Sequence, residues 1–532
     1  MQGRSDPLVA PTLPRLARAA AERFGATAAV EDGPLRLSFA ELWSAGLDAA
    51  RSLLACGVAP GDRIAIWAPN IAEWIVAAIG AHATGGVLVP LNTRFKGAEA
   101  GWVLRKSGAR VLFTVGEFLG TRYVDLLARE DLPDLARVVT LRGDAPGATP
   151  WDEFLALGAR ISEAEALARA EAVSPSDLSD LLFTSGTTGK PKGVMTEHGQ
   201  NLRVFASWSG ILGLREGDRY LVVNPFFHSF GYKAGWVASL LRGATVLPQA
   251  VFDASAVLER IEKDRISFLP GPPTLYQSIL ASPDREKRDL SSLRLAATGA
   301  AVVPVELVQR MRSDLGFETV VTAYGLTESC GVVTMCRPGD DPQTIATTSG
   351  RPIPDVEVRC VDRDGRELPR GEPGEVVVRG YNVMRGYFGD EEATREAIDA
   401  EGWLHTGDVG VMDACGNLRI TDRIKDMFIV GGFNCYPAEI EGLLHGLPGV
   451  AQVAVVGVPD ERLGEVGMAF VVPAPEARLT PDAVIGWCRE NMANYKVPRR
   501  VAVVDALPMN ASGKVLRFVL REQARPERPA LD

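Results

Sequence analysis

At 532 residues, with 46% hydrophobic and 23% charged side chains, the chain exceeds one ordinary domain and carries ample core material. A net charge of −10 argues against general affinity for nucleic acid or an anionic membrane, although local basic sites for a nucleotide remain open. Seven cysteines, an odd number without a C-x-x-C pair, fit a reduced cytoplasmic compartment.

The start, Met1 to Pro7, lacks a signal-peptide pattern. Leu13 to Phe24 reads as a helix, and Ser38-Phe39-Ala40-Glu41 is a capping box that opens another. Strand-like Arg63 to Trp67, helical Glu73 to Ala83 and strand-like Val87 to Val89 form a β-α-β unit. The stretch Ile71 to Leu91 is the most apolar, yet it holds Glu73, His82, Gly85, Gly86 and Pro90, so it predicts a buried helix and strand and no membrane span.

The alternation recurs further on. Strand patterns at Tyr220–Val223, Thr245–Leu247, Ser267–Leu269, Leu295–Thr298 and Thr319–Thr322 are interleaved with helical Val251–Lys263, Pro273–Leu280 and Pro304–Arg312. This predicts an α/β body of mostly parallel sheets covered by helices. After about Gly350, valine-rich strands such as Val356–Val361 and Gly374–Arg379 suggest a small antiparallel, barrel-like unit. A last α+β set runs through Met427–Val430, Pro437–Leu444, Val450–Val458, Met468–Val472, Pro481–Met492 and Arg500–Val504. The expected domains are therefore 1–422 and 423–532, with only the tail from Gln523 reading as disordered.

The chemistry centres on Thr184-Ser185-Gly186-Thr187-Thr188-Gly189-Lys190-Pro191-Lys192-Gly193, which directly follows the strand-like run Asp180 to Phe183. Glycines allow a tight bend and close approach to a ligand, while hydroxyls and two lysines suit polyphosphate. A Walker loop it is not: that pattern needs four residues between its glycines and a hydroxyl residue after the lysine, and here Lys190 is followed by Pro191.

These ten residues resemble the signature loop of the adenylate-forming superfamily, which contains acyl-CoA synthetases, peptide-synthetase adenylation domains and luciferases. The resemblance implies ATP as co-substrate, with Thr184, Ser185, Gly186, Thr187, Thr188, Gly189 and Lys192 around its phosphates. Tyr324-Gly325-Leu326-Thr327-Glu328 also matches the superfamily: Glu328 would hold Mg²⁺ and Thr327 would meet the α-phosphate. Ala323, Tyr324 and Gly325, with Gly299, Ala300 and Ala301, would flank the nucleotide. Asp408, in Trp403-Leu404-His405-Thr406-Gly407-Asp408, and Arg423 correspond to the ribose-binding pair, with His405 read as structural.

Lys514, in Pro508-Met509-Asn510-Ala511-Ser512-Gly513-Lys514, matches the adenylation lysine, and Gly431-Gly432-Phe433 matches the loop beside the pantetheine tunnel of coenzyme A ligases. Lys425 stands at the hinge position, where the family often carries Asp, and implies a mobile C-terminal domain. Cys435 reads as a packing residue, because nothing in the sequence supplies it with a base.

Asn224 to Lys233 corresponds to the acyl-pocket segment, with Phe230, Gly231, Tyr232 and Lys233 as lining residues. His228 is either a gate or carboxylate contact or one more aromatic wall, and Lys233 either meets a ring ketone or faces solvent. Together with Thr334-Met335-Cys336-Arg337-Pro338, the segment resembles actinobacterial ligases for the bicyclic propanoate left after removal of the steroid A and B rings. The expected function is a cytoplasmic acyl-CoA synthetase whose partners are a small carboxylic acid, ATP and CoA. A fatty acyl-CoA synthetase and a stand-alone adenylation enzyme that loads a carrier are the alternatives. The oligomeric state, a homo-oligomer among the options, is left open.

Overall fold

The computed structural model describes residues 7–184, 191–299, 303–423, 426–430, 433–460, 462–492, 494–509 and 514–524, with the side chains of 422, 423, 433 and 434 excepted. The expected residues Ser185, Gly186, Thr187, Thr188, Gly189, Ala300, Ala301, Lys425, Gly431 and Gly432 lie outside this set. The chain divides into two compact units: 1–299, 303–357 and 378–404 make the first, and 300–302, 358–377 and 405–532 the second.

The first unit is α/β and is built on an eight-stranded sheet. Its order is Gly386–Tyr387, Lys192–Glu197, Leu178–Thr184, Val87–Pro90, Arg63–Trp67, Ala109–Thr114, Arg137–Thr140 and Thr149–Pro150. From Leu178–Thr184 through to Thr149–Pro150 every pairing is parallel, whereas Lys192–Glu197 and Gly386–Tyr387 add antiparallel. Strands buried on both faces need near-continuous apolar runs, which is how Arg63–Trp67 and Val87–Pro90 read. The connecting helix Ala72–Ala83 is buried at every residue except Glu73, whose carboxylate pairs with Arg142. A helix apolar all round belongs in an interior, and at 12 residues this one is too short to cross a bilayer. Among the described residues no helix is long and apolar enough to cross a membrane.

Two four-stranded sheets complete this unit. One runs Arg219–Val222, Thr245–Pro248, Ala28–Asp32 and Leu35–Ser38; the other runs Leu295–Thr298, Thr319–Tyr324, Thr334–Met335 and Arg351–Pro352. Ser267–Leu269, expected as a strand, contributes a single pairing residue instead: Phe268 bridges Tyr220 on one side and Leu295 on the other, in parallel sense. Helix Leu13–Phe24 forms with the expected bounds. The Ser38 capping box is complete, the hydroxyl accepting from the Glu41 amide and the Glu41 carboxylate accepting from the Ser38 amide. The helix expected from Val251 starts at Ala254, because the Asp253 side chain caps it by accepting from the Ala256 amide.

The second unit carries the greater part of a four-stranded sheet, Val356–Val361, Pro373–Gly380, Leu404–Met412 and Leu418–Arg423. It also carries a five-stranded sheet in which Phe433–Cys435, Phe428–Val430, Gly464–Pro473 and Val450–Asp460 follow in order, with Arg500–Val503 parallel to Gly464–Pro473. On one face, helices Pro437–Leu444 and Pro481–Asn491 bury Ile440, Leu444, Val484 and Cys488 against Phe428, Val455 and Val471. On the other, Leu520 of helix Arg517–Gln523 packs with Val456, Val458 and Phe470. Glu441 ties these layers together: its carboxylate accepts from the Val455 amide at 2.7 Å and from Arg517 Nη2 at 2.8 Å through each oxygen.

Candidate active site

Leu178–Thr184 and Lys192–Glu197 pair antiparallel with Thr184 opposite Lys192 and Phe183 opposite Gly193, so they are the two stems of the glycine-rich loop. At the foot of the returning stem, Lys192 Nζ lies 4.9 Å from the centroid of the Tyr387 ring, a cation–π distance. The Tyr387 hydroxyl donates to Glu328 Oε1 at 3.0 Å. The structure thus brings two of the expected residues, Lys192 and Glu328, onto one aromatic ring. Desolvation and the Glu328 carboxylate both push the Tyr387 phenol far above its ordinary pKa, so it stays a proton donor.

Glu328 sits in the turn Thr327–Ser329 that follows the strand Thr319–Tyr324, a strand carboxyl end of the kind where open α/β sheets bind ligands. The turn is held from several sides. Ser329 Oγ accepts from the Leu326 amide at 3.0 Å, and the Met384 amide donates to the Glu328 carbonyl at 2.8 Å. Cys330 and Gly331 both take positive φ, 55° and 100°, to reverse the chain. The reversal carries Gly331 so close that a Cβ on Gly325 would stand 2.3 Å from its carbonyl oxygen, which explains the glycine in this motif. Gly299, at φ 155°, approaches the Ala323 carbonyl, where a Cβ would come within 3.2 Å. Two segments expected beside the nucleotide therefore meet.

The acyl-pocket segment is anchored by Asn70, whose Oδ1 accepts from the Phe226 amide at 2.7 Å and whose Nδ2 donates to the Val222 and Asn224 carbonyls. The chain then folds back so tightly that a Cβ on Gly231 would meet the Pro225 and Asn224 carbonyls at 2.2 and 2.3 Å. His228 precedes this fold at a solvent-reachable position, and Phe230 is half-buried. Surrounding protein lowers the His228 pKa by desolvation, which favours the neutral imidazole. From Tyr232 to Val237 the helix winds as a π-helix, a feature frequent at functional sites.

Tyr232 and Lys233 need correction as lining residues. Both are 0% exposed, so Lys233 does not face solvent. Its ammonium pairs with Asp180 Oδ1 at 3.0 Å and donates to Thr196 Oγ1 at 2.9 Å, which commits it to partners inside the protein. Asp180 also accepts from Ser179, Thr196 and Asn201 at 2.7 to 2.8 Å. The Tyr232 hydroxyl meets His82 Nε2 at 2.9 Å. An ionised pair without solvent persists only when its remaining bonds are filled, and Ser179, Thr196 and Asn201 fill them. The buried cluster joins the two stems of the loop to the start of the π-helix.

In the second unit, Asp408 is 3% exposed on the strand Leu404–Met412, and its Cα pairs with that of Arg423 across the sheet. The two residues expected to share a ribose are therefore cross-strand partners. His405 Nδ1 lies 3.0 Å from Glu375 Oε2, and Glu375 Oε1 accepts from the Gly407 amide at 3.2 Å, which fits the structural reading of His405. Lys514 is exposed and precedes Val515, which bridges Met509, and Leu516, whose amide donates to the Pro508 carbonyl at 2.8 Å. Phe433 pairs with Val430 at the start of its strand. Cys435 is buried, its thiol pushed up to about 11 by desolvation, and its Sγ meets the Tyr495 carbonyl at 3.3 Å, so it packs and does not react.

Residues 16–388 match the AMP-binding enzyme family, and 439–514 match the C-terminal domain of AMP-binding enzymes. The chain belongs to the AMP-binding enzymes. It is 52% identical over 520 residues, 97% of this chain and 99% of the relative, to the 7a-methyl-1,5-dioxo-octahydro-inden-4-yl propanoyl:CoA ligase of Rhodococcus jostii RHA1. A ligase of the same name from Mycobacterium tuberculosis H37Rv is 54% identical over 487 residues, covering 92% of this chain and 94% of the relative. Among solved structures, the anthranilate CoA ligase AuaEII in complex with anthranoyl-AMP superposes with a TM-score of 0.87 at 28% identity, over 98% of this AMP-binding enzyme and 99% of that chain.

Two residues at this site escape a reading of the sequence. Asp180 is visible only as a charge at the head of the apolar run to Phe183, and its partner Lys233 lies 53 residues away as the one charge in an apolar helix. Tyr387, in Arg385-Gly386-Tyr387-Phe388, carries no local signal beyond an aromatic residue just before the Asp390 helix cap.

Proposed function

We propose that this chain is an AMP-forming acyl-CoA ligase whose acid is the bicyclic 7a-methyl-1,5-dioxo-octahydroindenyl propanoate. The observation that carries the reading is identity above 50% over nearly the full length to two ligases bearing that substrate in their names. In the first half-reaction a carboxylate oxygen attacks the α-phosphorus of ATP, a P–O bond forms, and pyrophosphate leaves. In the second, the CoA sulfur attacks the acyl carbon and AMP departs.

The loop from Thr184 to Lys192 would hold the phosphates, Thr327 the α-phosphate, and Asp408 with Arg423 the ribose, while Gly299, Ala300, Ala301, Ala323, Tyr324 and Gly325 would bound the base. Among the described residues no three His, Cys, Asp or Glu side chains cluster as metal ligands. A single carboxylate, Glu328, suits Mg²⁺ that takes its other ligands from phosphate and water. Such an ion would neutralise the charge of the departing pyrophosphate. Lys514 would bridge the carboxylate and the α-phosphate as charge builds, and the part from 423 onward, hinged at Lys425, would later present Gly431, Gly432 and Phe433 to CoA. His228, its imidazole pKa lowered by desolvation, would stand beside the acid as gate or contact. ATP and CoA as co-substrates fit a cytoplasmic reaction.

An acid panel tests the substrate. Purified protein with ATP, Mg²⁺ and CoA is offered the bicyclic propanoate, linear fatty acids and aryl acids, and AMP and acyl-CoA are followed by mass spectrometry. The bicyclic acid is expected to give the highest kcat/KM, and a preference for linear chains would overturn the assignment.

A further inference from the structure

Tyr387 is caught between opposite charges. Its ring carries the Lys192 ammonium and its hydroxyl holds the Glu328 carboxylate, yet Lys192 and Glu328 are not paired with each other. A lysine and a glutamate this close to one aromatic ring would ordinarily collapse into an ion pair, because each gains by neutralising the other. The ring stands between them and offers each a weaker partner: a π face for the cation and a neutral O–H for the anion.

The backbone fixes the ring in that place. Tyr387 pairs with Val194 and Gly386 with Met195 on the returning stem of the loop. The Phe388 amide donates to the Gly193 carbonyl at 2.8 Å, and the Tyr387 amide donates to Thr394 Oγ1 at 2.9 Å. Met384 meanwhile ties the same segment to the backbone of Glu328. The short segment 384–388 therefore clips the loop stem to the turn that bears the carboxylate.

We propose that Tyr387 is a positioning residue for the nucleotide: it keeps Lys192 and Glu328 apart, leaving the ammonium for phosphate oxygens and Glu328 Oε2 for the divalent cation. This rests on the ATP-dependent reading above. The two halves of the residue separate chemically. Tyr387→Phe keeps the platform under Lys192 and frees the carboxylate, whereas Tyr387→Leu removes both supports.

The test is equilibrium ATP binding by calorimetry, with acid and CoA omitted so that nothing turns over, across a Mg²⁺ titration and in EDTA. Melting of each ligand-free variant reports on folding. For Tyr387→Phe the Mg²⁺ concentration at half-saturation is expected to rise about tenfold while the affinity for metal-free ATP stays at the wild-type value, the size set by one lost hydrogen bond to a charged group. Tyr387→Leu is expected to weaken metal-free ATP binding as well. Wild-type metal dependence in Tyr387→Phe overturns the inference and leaves the ligase reading standing, and so does an equal loss of metal-free binding in both variants. A wild-type protein that binds no MgATP overturns both.

Discussion

Two lysines near one hairpin have opposite fates. Lys192 begins the returning stem of the phosphate loop and rests half-exposed on an aromatic face. Lys233 reaches the same hairpin from the π-helix, loses all contact with solvent, and ends against Asp180 and Thr196. Both carry the same ammonium, and the surroundings decide its use. A cation held weakly on a ring keeps its charge available to a ligand; a cation held by a buried carboxylate spends its charge on the fold. Position near a motif is therefore poor evidence of a role in binding.

The sharpest way to break this contrast is Lys233→Met, which leaves Asp180 buried with neutral partners only. Loss of one member of a buried pair costs about 3–5 kcal/mol, so denaturant melting should show a large drop, partly recovered in the Asp180→Asn/Lys233→Met double variant. A melt equal to wild type would show that the pair is not structural. A third lysine, Lys514, extends the comparison to an exposed site: Lys514→Ala should slow acyl-adenylate formation on the order of 10²–10³-fold, read by pyrophosphate release, with little change in melting. Lys192→Met should weaken ATP binding by about tenfold to a hundredfold, the worth of a charge-assisted contact, and leave the melt unchanged.

The smallest effect is a pH slope. Burial, reinforced by the charge of Lys233, lowers the His82 pKa to about 3, whereas an unfolded histidine titrates near 6.5. As pH falls below 6.5 the unfolded chain takes up the proton first. The contribution of His82 is thus complete above pH 6.5 and is lost progressively as pH falls toward 3. In His82→Gln, melting temperatures between pH 7 and pH 4 should decline less steeply than in the wild type. An identical slope would show that His82 is not the group responsible.

Much of this architecture is legible in the sequence because it is local. Helix Leu13–Phe24, the Ser38 capping box and the strand that delivers Glu328 all rest on residues close together in the chain or on a motif with fixed spacing. What stays hidden is pairing at long range. Nothing in the apolar run after Phe230 says that its lysine turns inward, since the acceptor is an aspartate on another element and the π-helix that aims it has no sequence signature. Tyr387 is equally silent, because its meaning depends on two side chains contributed by separate parts of the chain. The same logic accounts for Ser267–Leu269, whose pattern is that of a strand but whose Phe268 finds only single bridges between two sheets.

The most direct test of the account is a reaction stopped halfway. The protein is mixed with the bicyclic propanoate and MgATP without CoA, and the products are identified by mass spectrometry before and after CoA is added. Pyrophosphate and the bicyclic acyl-AMP are expected in the first sample, and conversion of that adenylate to the acyl-CoA with release of AMP in the second. ADP and phosphate in place of pyrophosphate and the adenylate, or an adenylate that CoA does not consume, would contradict it.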